Sequence, residues 1–175
     1  GAGYALALLQ AMVDNPQLEI HLILSPAATT ILELEAGKTL DDLPLDRVTV
    51  HSCHNPAAPP ASGSWPHQGM VVCPCSMASL AAIHHGTGHN LIHRAADVTI
   101  KEKRPLILVA RETPLSTVHL KNMLGLAQAG ATIMPACPGF YHQPATIQEL
   151  INHLVGRILD HLEVPHSLTP RWGQN

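Results

Sequence analysis

Apolar positions along the chain fall in short blocks separated by turn residues. From Ala5 to Val13 the run Ala-Leu-Ala-Leu-Leu-Gln-Ala-Met-Val reads as a helix that stops at Asp14-Asn-Pro16. Residues 19–24 form a short apolar strand. Ser25-Pro26 then opens a helix to about residue 34, because Ser is a favoured N-cap and Pro a favoured first helical residue. Residues 47–52 are a second strand, and 55–66, rich in Pro, Ala, Gly and Ser, are a loop. A third strand over 69–74 precedes a helix capped by Ser76. Helices are predicted over 91–101 and 115–129, strands over 106–110 and 131–134, and a loop over 135–144. Thr146 and Glu149 have capping-box spacing and open the last long helix.

Short, uniformly apolar strands alternating with helices belong to a parallel sheet covered on both faces. No repeat or linker interrupts the pattern, so residues 1–175 read as a single doubly wound α/β domain. Hydrophobic residues make up 46% and charged residues 13%. These values exclude intrinsic disorder and point to surface hidden against copies of the same chain. Ten Lys and Arg against thirteen Asp and Glu exclude a broad basic face for nucleic acid. With no apolar run of ~18 residues and no secretory pattern, the expectation is a cytoplasmic protein without a membrane span. Cys53, Cys73, Cys75 and Cys137 are then reduced thiols.

In this architecture ligands bind where strands end and helices begin, and four features stand there or nearby. Ser25 follows the first strand, where a hydroxyl backed by helix N–H groups can hold a phosphate; a plain cap explains it as well. Ser76 and Ser79 lie three apart at a second such turn, with the same two readings. Arg111 and Glu112 follow the strand over 106–110. Arg111 suits a phosphate and Glu112 can carry a proton, or the two form a local ion pair. Residues 71–130 concentrate Arg94, Lys101, Lys103, Arg104, Arg111 and Lys121, which makes this the anion-facing half or a solvated helix face. His84, His85 and His89 are the closest histidines, but Gly86 and Gly88 interrupt the helix that would align them, and no metal motif occurs. Tyr141 and Trp172 sit beside Pro, Gly or basic residues, as site candidates or surface plugs.

Pro59-Pro-Ala-Ser-Gly-Ser64, Cys73-Pro-Cys-Ser76, Arg94-Ala-Ala-Asp97 through Lys101-Glu-Lys-Arg-Pro105, Arg111-Glu-Thr-Pro114, Pro138-Gly-Phe-Tyr-His-Gln-Pro144 and Arg171-Trp172, in that order, resemble the flavin prenyltransferase family of UbiX/Pad type. The resemblance covers essentially the whole chain. It implies a Rossmann-like flavoprotein fold and a homododecamer. It implies transfer of a dimethylallyl group from dimethylallyl monophosphate to N5 and C6 of reduced FMN, with release of phosphate and no metal. The product, prenylated FMN, would serve a UbiD-type decarboxylase in ubiquinone biosynthesis or aromatic-acid metabolism.

Carried over by position, the resemblance implies that Gly1, Ser25, Ser76, Met77, Ala78, Ser79 and Arg111 bind FMN. Tyr141, Arg157 and Lys101 would bind the dimethylallyl phosphate, some of them from a neighbouring subunit. Glu112 and Lys101 would act in catalysis, with Trp172 as a wall of the prenyl pocket. The family opens with a strand and a Gly-rich turn of which only Gly1-Ala2 stand here, so the sheet is expected to lack its central strand. The natural start is expected ~12–15 residues earlier, the length of one strand and a phosphate turn. An FMN-dependent cysteine-type decarboxylase is the alternative within the wider flavoprotein group, although its Pro-x-Met-Asn motif does not occur. A non-catalytic flavin-binding subunit is another.

Overall fold

The computed structural model describes residues 1–169. The helices are α1 (Ala2–Val13), α2 (Pro26–Ala36), α3 (Met77–His85), α4 (Leu91–Lys101), α5 (Thr117–Gln128) and α6 (Ile147–His161). The strands are β1 (Ile20–Leu24), β2 (Val48–Ser52), β3 (Met70–Cys75), β4 (Leu106–Ala110) and β5 (Thr132–Ile133). All strand pairs are parallel, in two groups: β1 with β2, and β3-β4-β5 with β4 in the middle. No hydrogen-bonded ladder joins β1 to β3. Both instead line one cavity of about 790 Å³.

β4 explains the uniformly apolar run Leu106-Ile-Leu-Val-Ala110. Every residue in it is buried, because the strand has neighbours on both edges and helices on both faces. Leu106, Leu108 and Ala110 pack into a core with α3 and α5 residues such as Leu80 and Leu126. Ile107 and Val109 face the other way, onto Leu8 of α1 and Leu154, Val155, Ile158 and Leu159 of α6. This period-two division is the physical content of a doubly wound sheet.

The helix starts follow the local chemistry. Ser25 Oγ accepts from the Ala28 N–H (3.1 Å), Ser76 Oγ from Ser79 N–H (3.1 Å), and the Asn90 side-chain oxygen from His93 N–H (3.0 Å). Gly37 at φ +61° ends α2, extending it past the expected stop. Helix α5 starts two residues later than its pattern, because Ser116 and His119 form a reciprocal cap. At α6 the expected box is shifted. Thr146 Oγ1 accepts from Glu149 N–H (3.2 Å), but the Glu149 carboxylate reaches past Thr146 to Ala145 N–H (2.9 Å). No helix among the described residues is long and apolar enough to cross a membrane.

Candidate functional site

β3 and β4 are parallel neighbours and β1 borders the same cavity, so residues following all three strands gather there. Ser25, Ser76, Met77, Ser79, Arg111 and Glu112 all line the same cavity. Its inner walls are strand and helix side chains, chiefly apolar. Each cap serine accepts one N–H from its own helix, which leaves the hydroxyl proton to donate. The adjoining helix starts add unpaired N–H groups and partial positive charge. Met77 is buried behind the turn, and Ala78 is exposed on it. Ser79 Oγ lies 3.2 Å from His93 Nε2, and burial pushes the titration of that imidazole below the usual histidine range. Gly1 stands against β3: a Cβ there would come within 2.9 Å of Pro74 Cγ, so the close approach requires glycine.

Glu35, near the end of α2, was not singled out by the sequence. Its carboxylate accepts from Ala2 N–H (2.8 Å) and lies 4.0 Å from Arg111. Glu35 thus ties the start of α1 to Arg111 at the cavity. Glu112 is exposed, and its Oε1 accepts from Thr113 N–H (3.0 Å); the alternative reading of a local Arg111–Glu112 ion pair is not what forms, since Arg111 lies by Glu35 instead.

Tyr141 and Arg157 stand elsewhere, each near His153. Tyr141, in the loop before α6, has its hydroxyl 2.7 Å from His153 Nε2. Arg157 lies one helical turn beyond His153 and pairs with Asp160 at 2.9 Å. Neither lines the cavity. Lys101 ends α4 and pairs with Glu102. It precedes β4 whereas Arg111 follows it, so five residues of strand, about 17 Å at 3.3–3.4 Å per residue, separate them within one chain. Trp172 lies outside the described residues.

The basic segment is partly structural. Arg104 donates to the carbonyls of Trp65 (2.7 Å) and Gly63 (2.9 Å), and Arg94 donates to Ala61 O (3.2 Å) and pairs with Asp97 (2.9 Å). These side chains fasten the Pro-rich loop to α4. All four cysteines are free thiols, and burial pushes Cys73 and Cys75 up to about 12, which makes them poor nucleophiles. No group of three or more His, Cys, Asp or Glu among the described residues could hold a metal ion.

The Flavoprotein family model matches residues 1–159. The flavin prenyltransferase UbiX of Pseudomonas aeruginosa is 43% identical over 188 residues, covering 99% of this chain and 90% of that protein. The flavin prenyltransferase LpdB of Lactiplantibacillus plantarum is 44% identical over 172 residues, covering 98% and 92%. Among solved structures, AnUbiX (PadA1) in complex with FMN and dimethylallyl pyrophosphate superposes with a TM-score of 0.94 at 41% identity, covering 99% of this chain and 92% of that one. A dodecameric FMN-dependent UbiX-like decarboxylase from Escherichia coli O157:H7 also gives 0.94, at 43% identity and 98% and 93% coverage.

Proposed function

The chain belongs to the Flavoprotein family, on its flavin prenyltransferase branch, and we propose that it joins a dimethylallyl group from dimethylallyl monophosphate to N5 and C6 of reduced FMN, releasing phosphate. The prenylated flavin then becomes the cofactor of a UbiD-type decarboxylase. Residues 1–175 act as one FMN-binding unit, in the cytoplasm, as a homo-oligomer and without a metal. One observation carries the reading: two serine-capped helix starts and Arg111–Glu112 converge on one cavity.

These residues suit FMN. The Ser25 and Ser76 hydroxyls, each already oriented by its own helix, donate toward phosphate or ring oxygens, and the helix N-termini favour the anion. The Met77-Ala78-Ser79 turn offers small and apolar surface to a flat ring. Arg111 lines the cavity, with its guanidinium 4.0 Å from the Glu35 carboxylate. The bound reduced flavin supplies the nucleophilic atoms.

Departure of phosphate from an allylic carbon puts negative charge on its oxygens and positive charge on the allyl group. Tyr141, Arg157 and Lys101 meet the negative charge. Trp172 meets the positive charge with its π face. Glu112 moves a proton to the leaving phosphate or from the flavin. Lys101, at the opposite end of β4 from Glu112, enters such a site from a second copy of the chain.

Anaerobic incubation with reduced FMN and dimethylallyl monophosphate, followed by mass spectrometry of the released flavin, tests the reading. A flavin heavier by one dimethylallyl unit is expected. Unmodified flavin, with dimethylallyl diphosphate as well as the monophosphate, would overturn it.

A further inference from the structure

The loop before α6 contains an arrangement that fixes a proton. Gly139 N–H lies 3.2 Å from His153 Nδ1. A backbone amide can only donate, so Nδ1 is the ring nitrogen without a proton, and the neutral ring carries its proton on Nε2. That Nε2 is 2.7 Å from the Tyr141 hydroxyl. The imidazole therefore donates and the phenol oxygen accepts, which turns the phenol's own proton away from His153.

We propose that His153 is a positioning residue: it holds Tyr141 as an acceptor, so that the phenol presents its O–H proton to the phosphate of the allylic substrate beside Arg157. This rests on the reading of Tyr141 and Arg157 as ligands of that phosphate.

The surroundings are built to keep the arrangement. A Cβ on Gly139 would fall 2.7 Å from Tyr141 Cε1 and 3.2 Å from His153 Cε1, so only glycine lets the amide reach the ring. His142 stacks on His153 with centroids 4.9 Å apart and planes 12° from parallel. Among the described residues both its ring nitrogens are buried without a hydrogen-bond partner, and it packs against His153 rather than competing for its nitrogens. A second proton on His153 would set N–H against N–H at Gly139. Burial, His142 and Arg157 all oppose that proton and shift the titration of His153 down. The pair Arg157–Asp160 lies one turn further along α6 and keeps the guanidinium on the same side of the helix.

Two measurements on the full-length protein test the inference. The first is a ¹H–¹⁵N spectrum of the histidine rings, with His153 assigned by its loss in His153→Gln. A neutral Nε2–H ring is expected at neutral pH; an Nδ1–H ring, or a charged one, overturns the proposal whether or not the protein turns over. The second is kinetic. His153→Phe keeps the ring and removes both hydrogen bonds, and kcat/KM for dimethylallyl monophosphate should fall about five- to tenfold, the worth of one hydrogen bond. FMN affinity should stay unchanged. His153→Gln, whose amide can still donate to the phenol, should recover most of the loss. In a Tyr141→Phe background His153→Phe should cost nothing more. An equal loss in that background, or no recovery in His153→Gln, overturns the proposal. A wild-type protein that binds both ligands yet makes no prenylated flavin instead defeats the functional reading, and leaves the ring spectrum to decide on His153.

Discussion

Ser25 separates a helix cap from a ligand. Its hydroxyl accepts from Ala28 N–H at 3.1 Å, so Ser25→Ala removes a cap whatever else the residue does. Caps of this kind contribute ~1 kcal/mol, which for a chain of this size lowers the thermal midpoint of the FMN-free protein by about 2–4 °C. If the hydroxyl also donates to the FMN phosphate, a hydrogen bond to a charged group is lost, about 1.5–3 kcal/mol, and affinity falls roughly 10- to 150-fold. Ser25→Asp divides the two effects. Aspartate caps as well as serine and suits the positive start of α2, so the midpoint should stay near wild type. Its carboxylate would repel the phosphate, so FMN affinity should fall at least as far as in Ser25→Ala. Fluorescence titration with FMN and thermal unfolding without it provide the two readouts. If Ser25→Asp bound FMN like wild type, or Ser25→Ala lost midpoint but no affinity, Ser25 would be a cap alone.

Glu112→Gln should leave FMN affinity within about twofold and slow prenyl transfer ~100-fold or more, as loss of a positioned proton carrier does; single-turnover mass spectrometry would read it, and unchanged turnover removes the role. If Lys101 serves a neighbour's site, co-refolding inactive Lys101→Ala with inactive Glu112→Gln should yield mixed oligomers with activity that neither parent has, and a mixture as dead as its parents would contradict the shared site. Arg104→Ala frees the carbonyls of Gly63 and Trp65 and should cost about 2 kcal/mol in urea unfolding, with Trp65 emission shifting to the red. His51, His67, His93 and His153 all titrate below the usual histidine range, chiefly through burial. The unfolded chain therefore binds more protons as acid is added, and stability that is full above the ordinary histidine pKa must decline from about pH 7.5 to about pH 5.5; a urea midpoint that held or rose over that span would refute it.

The strands and helix starts were legible because their causes are local. Ser25-Pro26 and Ser76 announce caps within two or three residues, and β4 announces itself because a strand buried on both faces can hold only apolar side chains. What was not legible has causes distant in sequence. Glu35 and Arg111 meet only because α2 and the end of β4 border one cavity. Arg94 and Arg104 look from sequence like anion ligands, yet both donate to loop carbonyls more than thirty residues away. His153 carries no signal either: it stands beside buried Leu154 on an amphipathic helix, and its role depends on a loop amide 14 residues earlier.

Sequence distance also misleads about which residues can share a site. Lys101 and Arg111 are ten positions apart and sit in adjacent family motifs, which invites placing them together. Topology forbids it within one chain. A helix covering a parallel sheet runs back against the strands, so its last residue lies at the end where the next strand begins. Lys101 is such a residue, and Arg111 and Glu112 stand at the far end of β4. Ser25, Ser76 and Arg111 are much further apart in sequence, yet each directly follows a strand, and parallel strands bring all three to one cavity. Position relative to the strands, rather than distance along the chain, decides which groups cooperate. By that rule Ser25, Ser76 and Arg111 share one cavity within one chain, and Lys101 can reach that cavity only across an interface between copies.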